Sequence, residues 1–234
     1  SSTNPRKTSF QRTCLPSSMS SAAVKWDKGD TVVKNHKLRI HPNQEQRNVL
    51  KEWFATTRFV YNRAVAYSKN PNSSADLDVF FNQKYHAANF FTMRNIFVTQ
   101  KGSETSLHPW EFNTPKNVRA GAIKEFTTSL STNLSKMKRK KMLRFDMKFK
   151  SKKHKKTESI SLPKSSIKFK NGKVKIFSQF LKNEIKLGKR NGKKYSFPDV
   201  ADMDSRLIYD GKDFFLLLPK RVFVKTAIPD GKKV

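Results

Sequence analysis

The sequence predicts an α+β fold in which a helical domain interrupts a β-barrel. Three observations carry this. Leu38 and Ile40 stand two apart in a β-branched, basic stretch; apolar residues then recur at helical spacing from Leu50 to Leu134; and the period returns to two from Ile167 onward. One early strand, separated from the later strands by a block of helices, is the order expected of an insertion into a barrel.

Residues 1–31 are Ser/Thr-rich without periodicity and read as a flexible N-terminal tail. Val32–Ile40, "VVKNHKLRI", reads as the first strand, within a segment bounded at 32–42. Asn43 followed three residues later by Gln46 marks a helix start. Leu50, Trp53, Phe54, Val60, Tyr61, Ala64 and Val65 then keep a helical period. After "NPNSS", the residues Leu77, Phe80, Phe81, Tyr85, Ala88 and Phe91 share one face and predict a second helix ending near Gly102. Thr114 as a cap and Pro115 at the first helical position open a third, with Val118, Ala122, Phe126, Leu130 and Leu134 recurring every fourth residue. The β-rich remainder spans 157–228. Asn171-Gly172 lies between alternating runs, a strong hairpin signal, and Asp210-Gly211 repeats the theme. Residues 229–234 read as a linker.

The chain carries a formal net charge of +31 over 234 residues, with 19 phenylalanines to build a core. A compact body this basic repels itself unless a polyanion lies against it. The cations are spread over the whole length, which favours nucleic acid over a membrane surface. One cysteine, Cys14, excludes an internal disulfide framework or a Cys-based zinc site, and the five histidines show no ligand spacing. No apolar run approaches the roughly 18–20 residues of a membrane span. No signal-peptide pattern opens the chain, so a reducing compartment is expected.

Lys136 to Lys156, "KMKRKKMLRFDMKFKSKKHKK", holds twelve Lys or Arg against one acid, Asp146. Met137, Met142, Leu143, Phe145, Met147 and Phe149 interleave with the cations, as in a segment anchored on the body with its charges aimed outward. Lys136, Lys138, Arg139, Lys140, Lys141, Arg144, Lys148, Lys150, Lys152, Lys153, Lys155 and Lys156 are therefore candidate phosphate contacts. The same residues suit nuclear import. The hairpin adds Lys168, Lys170, Lys173 and Lys175 on its polar face.

"KLRIHPNQEQRNVLKEWFATTRFVYNRAVA" resembles the opening of TnpB proteins of bacterial transposons and of their eukaryotic and viral relatives, the Fanzors. The residues that carry the resemblance are Arg39, Ile40, Pro42, Asn43, Gln46, Thr57, Arg58, Phe59, Val60, Tyr61 and Asn62. "TPKNVRAGAIKEF", "LRFDMKFKSKKHKKTESISL" and "SSIKFKNGKVKIF" look like three further family segments in the same order. The resemblance implies an RNA-guided DNA endonuclease. Its N-terminal half would be an OB-like wedge barrel interrupted by a helical recognition domain, here 43–156, and its C-terminal half a RuvC-type nuclease with Mg²⁺ on three acids.

Asp230-Gly231 follows Pro229 and is flanked by lysines, unlike the family's first catalytic Asp, and reads as a linker turn. The expectation is the guide-and-target-binding half, with no catalytic residue and no metal ligand of its own. The resemblance implies that Lys34, Lys37 and Arg39 touch guide RNA or the heteroduplex backbone. It implies a reader of a target-adjacent DNA motif made of Ser73 and Ser74; Lys116, Asn117 and Arg119; and Lys164, Ser165 and Ser166. Arg58, Tyr61 and Asn62 are expected in packing and buried hydrogen bonds. The expected partners are guide RNA, target DNA and a C-terminal nuclease half, in the nucleus for a eukaryotic or viral protein and in the cytoplasm for a bacterial one. The competing readings are a stand-alone basic RNA-binding protein and a truncated transposon DNA-binding protein or repressor.

Overall fold

The helical part of the chain begins on a reciprocal cap. The Asn43 side chain accepts from the Gln46 N–H at 2.8 Å, and the Gln46 side chain accepts from the Asn43 N–H at 3.0 Å. The two bonds satisfy donors that every helix start leaves without a partner in the helix. From there α1 (Gln44–Lys69) runs for 26 residues. Its first half buries Leu50, Trp53 and Phe54 in one hydrophobic cluster, and its second half buries Val60, Tyr61, Ala64 and Val65 in another. Burying a large apolar side chain contributes about 1.5–3 kcal/mol, so α1 is the shared wall of two cores.

The computed structural model describes residues 31–69, 85–99, 107–142, 144–152, 157–188 and 201–223. Nearly all of these lie in one unit, Val33–Val222. A second unit, Ser1–Val32 with Phe223–Val234, contributes only the outer ends of two strands to the described residues. The expected terminal linker lies outside them, as does the expected tail except Thr31, which begins the first strand.

The first cluster lies against a sheet of seven strands: β1 (Thr31–His41), β2 (Glu158–Leu162), β3 (Ile167–Lys170), β4 (Lys173–Ile176), β5 (Ile185–Leu187), β6 (Ser205–Tyr209) and β7 (Phe214–Phe223). Their order is β2-β6-β7-β1-β5-β4-β3, curled as an antiparallel half-barrel. The strand that precedes the helices thus sits in the middle of the strands that follow them. Alternation decides the faces. Leu38, Ile40, Ile167, Phe169, Val174, Ile176, Ile185, Leu207, Phe214 and Leu216 point into the core, and their polar neighbours point away. Asn171 and Gly172, at φ 49° and 73°, make the tight turn between β3 and β4. The Asp210 carboxylate closes the next hairpin by accepting from the N–H groups of Lys212 and Asp213.

Two sequence expectations change in the helical part. The second helix does not run unbroken. Residues 85–88 are helical, the chain leaves the helix at Asn89, and a new helix, α2 (Phe90–Arg94), starts there. The cause is the Asn89 side chain, which accepts from the N–H groups of Phe91 and Thr92 and so competes with the backbone ladder. A π-helical turn (Asn95–Thr99) follows.

The third helix, α3 (Lys116–Lys138), starts one residue later than expected, with Pro115 as its cap residue. Thr114 is drawn away because its buried hydroxyl lies 2.9 Å from that of Thr56 on α1. At the other end, Lys140 adopts φ 54° while the Lys141 N–H reaches the Lys136 carbonyl. That closure normally favours glycine. Ala122, Ile123, Phe126, Leu130 and Leu134 of α3 complete the second cluster with Met93, Phe97 and Val98.

Candidate nucleic-acid interface

The register of the sheet assembles cations that are far apart in the sequence. Lys170 pairs with Lys173 across β3 and β4, Lys173 with Lys186 across β4 and β5, and Lys186 with His41 across β5 and β1. The result is one row of three lysines and a histidine over four strands, about 14 Å long at ~4.8 Å per strand. Lys168 faces Lys175 beside it. Like charges directly opposite are destabilising. Within reach of the row, Glu184 pairs with Lys173 at 3.4 Å.

Arg39 and Lys37 share the polar face of β1 with His41, so these two of the three expected first-strand cations stand on the same face as the hairpin lysines. Arg39 is already engaged with Asp213 at 2.7 Å, and the Lys37 ammonium lies over the Phe215 ring. Lys34 is exposed nearer the start of the strand. At Gly188 the β5 chain passes so close that an added Cβ would stand 3.1 Å from the Arg39 carbonyl, whose oxygen accepts the Gly188 N–H.

Beside the row, the Lys168–Lys175 pair lines a pocket of about 240 Å³ together with Asn117, Ser165, Ser166 and the turn 177–180. Asn117, Ser165 and Ser166 are three of the expected motif-reading residues, brought together from the start of α3 and the 3-10 turn Lys164–Ser166. Ser166 donates to the Pro163 carbonyl. Phe177 and Phe180 pack edge-on against the buried Trp53, which fixes the turn and leaves Ser178 and Gln179 exposed at the rim. Sequence reasoning missed Ser178 and Gln179, although a polar pair between two phenylalanines is the pattern of an anchored turn. It also missed Lys186, whose flanking Ile185 and Leu187 place it on the polar side of a strand. Lys116 is exposed next to Asn117, and Lys164 stands outside this pocket with its N–H held by Asp204. Ser73 and Ser74 lie outside the described residues.

Arg119 departs from its expected role. It is 3% exposed, donates to the carbonyls of Thr114 and Val98, and stacks under Phe112. Burial pushes its pKa below the ordinary arginine value, and the nearby Glu111 carboxylate opposes that shift. The guanidinium is used inside the fold, as its place on the inward face of α3 dictates.

The basic crossing from α3 to β2 follows no regular secondary structure at the described residues 142 and 144–151. Met147 is buried in the helical core, and Asn62 of α1 grips the Lys150 backbone by both its N–H (2.8 Å) and its carbonyl (2.9 Å). The Lys150 ammonium sits over Tyr61 and on both oxygens of Glu125, so this lysine is a tether. Lys69 of α1 pairs with Asp146. Lys136, Lys138, Arg139, Lys140, Lys141, Arg144, Lys148 and Lys152 are exposed; Lys153, Lys155 and Lys156 lie outside the described residues. Arg58 pairs with Glu158 beside a groove of about 590 Å³ that Lys51, Lys152 and Lys212 also line. Tyr61 is buried against Phe126, and burial pushes its hydroxyl pKa up, with Glu125 adding to the shift. Arg58, Tyr61 and Asn62 thus serve packing and hydrogen bonding.

Among the described residues, no group of three His, Cys, Asp or Glu side chains is placed to share a metal ion. The Mg²⁺ implied by the resemblance therefore finds no ligand set among them, and no catalytic step follows from these residues. No described helix is long and apolar enough to cross a membrane.

This arrangement, a basic half-barrel face beside a tethered basic crossing, defines a candidate polyanion-binding protein. A helix-turn-helix domain family, HTH_OrfB_IS605, matches residues 32–71. A protein of Paramecium bursaria Chlorella virus 1 that bears the name "Putative transposase" is 24% identical over 137 residues, covering 56% of this chain and 29% of that relative. The chain thus matches under a third of the curated relative's length. Both similarities fit the TnpB/IS605 family. The matched segment folds here as strand β1 followed by the single helix α1, whose apolar face is buried in both cores.

Proposed function

We propose that this chain is the guide-and-target-binding half of an RNA-guided DNA endonuclease of the TnpB/Fanzor kind, with the half-barrel as wedge and the helical block as an inserted recognition domain. One observation carries the reading: lysines from three neighbouring strands, with His41 of a fourth beside them, stand in register on one face. That row repels itself, and a polyanion laid along it removes the repulsion. A guide RNA and its heteroduplex with target DNA are polyanions read through their backbone, while base pairing supplies sequence specificity.

In this reading the pocket at Asn117, Ser165, Ser166 and Gln179 reads the short DNA motif beside the target. Amide side chains match the adenine edge in the major groove, and hydroxyls accept either partner. Mg²⁺ and the acids that hold it would belong to a nuclease half of the same protein. The protein would act in the nucleus of a eukaryotic or virus-infected cell, or in bacterial cytoplasm. Docking of α1 in a major groove is the weaker reading, because a recognition helix must present base-contacting side chains from a free face.

Fluorescence anisotropy tests the proposal with three probes: a structured RNA, an RNA–DNA hybrid of about 20 base pairs, and a DNA duplex of equal length. Binding of RNA and hybrid with a steep salt dependence is expected. Indifference to both at low ionic strength overturns it. Site-preferring binding to duplex DNA without RNA favours a transposon DNA-binding protein instead.

A further inference from the structure

The 3-10 turn Pro109–Asn113 carries an aromatic platform that neither the cationic row nor the motif pocket uses. Trp110 is 41% exposed and lies parallel to the exposed His108 ring, with centroids 5.8 Å apart and planes 8° from each other. Phe59 of α1 supports both rings from beneath, edge-on to Trp110 at 4.9 Å. Phe112, 45% exposed, follows on the same turn.

The turn is held rigidly from below. Glu111 is fully buried, and one carboxylate oxygen accepts from the His108 N–H and from Arg63, both at 3.0 Å. Asn113 donates to Glu52 and Thr114 reaches Thr56, so two further bonds pin the turn to α1. A buried carboxylate and three tethers fix a short element whose two large rings face solvent. Packing alone would not require those rings to face outward.

We infer that Trp110, stacked on His108, is a platform for an unpaired base of a bound nucleic-acid strand. The inference rests on the nucleic-acid reading above. It chooses a base over an apolar protein surface because the exposed side chains that follow the turn are polar or cationic: Lys116 and Asn117. Asn117 lines the motif pocket, and seven residues of chain reach less than about 25 Å from Trp110 to it. Every base has a π face, so such a platform is indifferent to sequence and holds a strand that has left its duplex. Phe112, already over the Arg119 guanidinium, is placed to extend it.

Intrinsic fluorescence tests the inference. The chain has three tryptophans; Trp53 is fully buried, and Trp26→Phe removes the tail residue, so solvent-side quenching in that variant reports Trp110. The probes are oligo(dT), oligo(U) and a blunt DNA duplex, and the two single strands distinguish DNA from RNA as the source of the base. At equal occupancy, single strand should quench the emission strongly and blunt duplex much less. Trp110→Ala should abolish the quench and weaken single-strand binding roughly 5- to 100-fold, while Trp110→Phe retains most of the affinity. Single strand that binds with unchanged emission, or equally tightly to Trp110→Ala, overturns this inference alone. Failure of all three probes to bind overturns it together with the reading beneath it.

Discussion

The sheet face and the crossing are both basic, but they hold their cations by different means. On the sheet, backbone pairing sets the positions: Lys170, Lys173, Lys186 and His41 fall in one row because the register puts them there. On the crossing there is no ladder. The segment is held by the Asn62 grip on Lys150, the buried Met147 and the ion pairs of Lys69 and Lys150, and its remaining lysines project from irregular chain. The sheet therefore stores repulsion in a rigid frame, whereas the crossing stores little and depends on a few handles. A polyanion gains from the first by relieving strain and from the second by meeting cations held on a few tethers.

Breaking the row should give the largest effect. Replacing Lys170, Lys173 and Lys186 together with Ala should weaken binding of an RNA–DNA hybrid roughly 10- to 100-fold, at up to ~1 kcal/mol per exposed contact. The log–log salt slope should fall by about 2–3, because each lost phosphate contact removes ~0.7–0.9 of a counterion. Thermal unfolding should move upward, since the like-charged cross-strand pairs are gone. A loss of affinity with lower thermal stability would mean that the lysines support the fold instead.

Asn62→Ala tests the opposite construction. It leaves every cation in place and removes the handle, stranding a backbone N–H and a carbonyl at a cost of about 1–3 kcal/mol. Trypsin should then cut readily after Lys148 and Lys152. Affinity should fall several-fold with almost no change in salt slope. A slope that falls as far as in the triple lysine variant would erase the distinction between the two surfaces.

What was legible in the sequence was local. The Asn43–Gln46 cap and the Asn171-Gly172 turn each depend on neighbours a few residues away, and each is found in place; of the hydrophobes expected to anchor the crossing, Met147 is buried in the helical core and Phe149 is exposed. The row was half legible. Alternation in "SIKFKNGKVKIF" put four lysines on one side of a hairpin, but nothing local says that β5 and β1 lie beside it, so Lys186 and His41 stayed hidden. Arg119 was misplaced for the same reason, because its burial is decided by the packing of α3 against the turn before it. The break at Asn89 was readable in principle, since an Asn two residues before Phe91 is a cap signal, yet the apolar period on either side masked it.

Two smaller tests sharpen the comparison at its edges. Lys140 joins α3 to the crossing in a left-handed conformation that costs a non-glycine residue on the order of 1 kcal/mol. Lys140→Gly should therefore raise stability by about 0.5–1 kcal/mol in denaturant unfolding while weakening hybrid binding only a few-fold. A stabilised protein with unchanged affinity would remove this cation from the interface. At the far hairpin, the N–H groups of Asp213 and Lys212 hold the Asp210 carboxyl below the ordinary aspartate range. A depressed folded-state pKa means the turn is supported above the unfolded value and loses that support as pH falls through the depressed one. Amide exchange at Lys212 and Asp213 should quicken in that acid window, and Asp210→Asn should flatten the profile. Amide exchange along the sheet row should not respond, which would separate a turn built on one titrating side chain from a surface built on register.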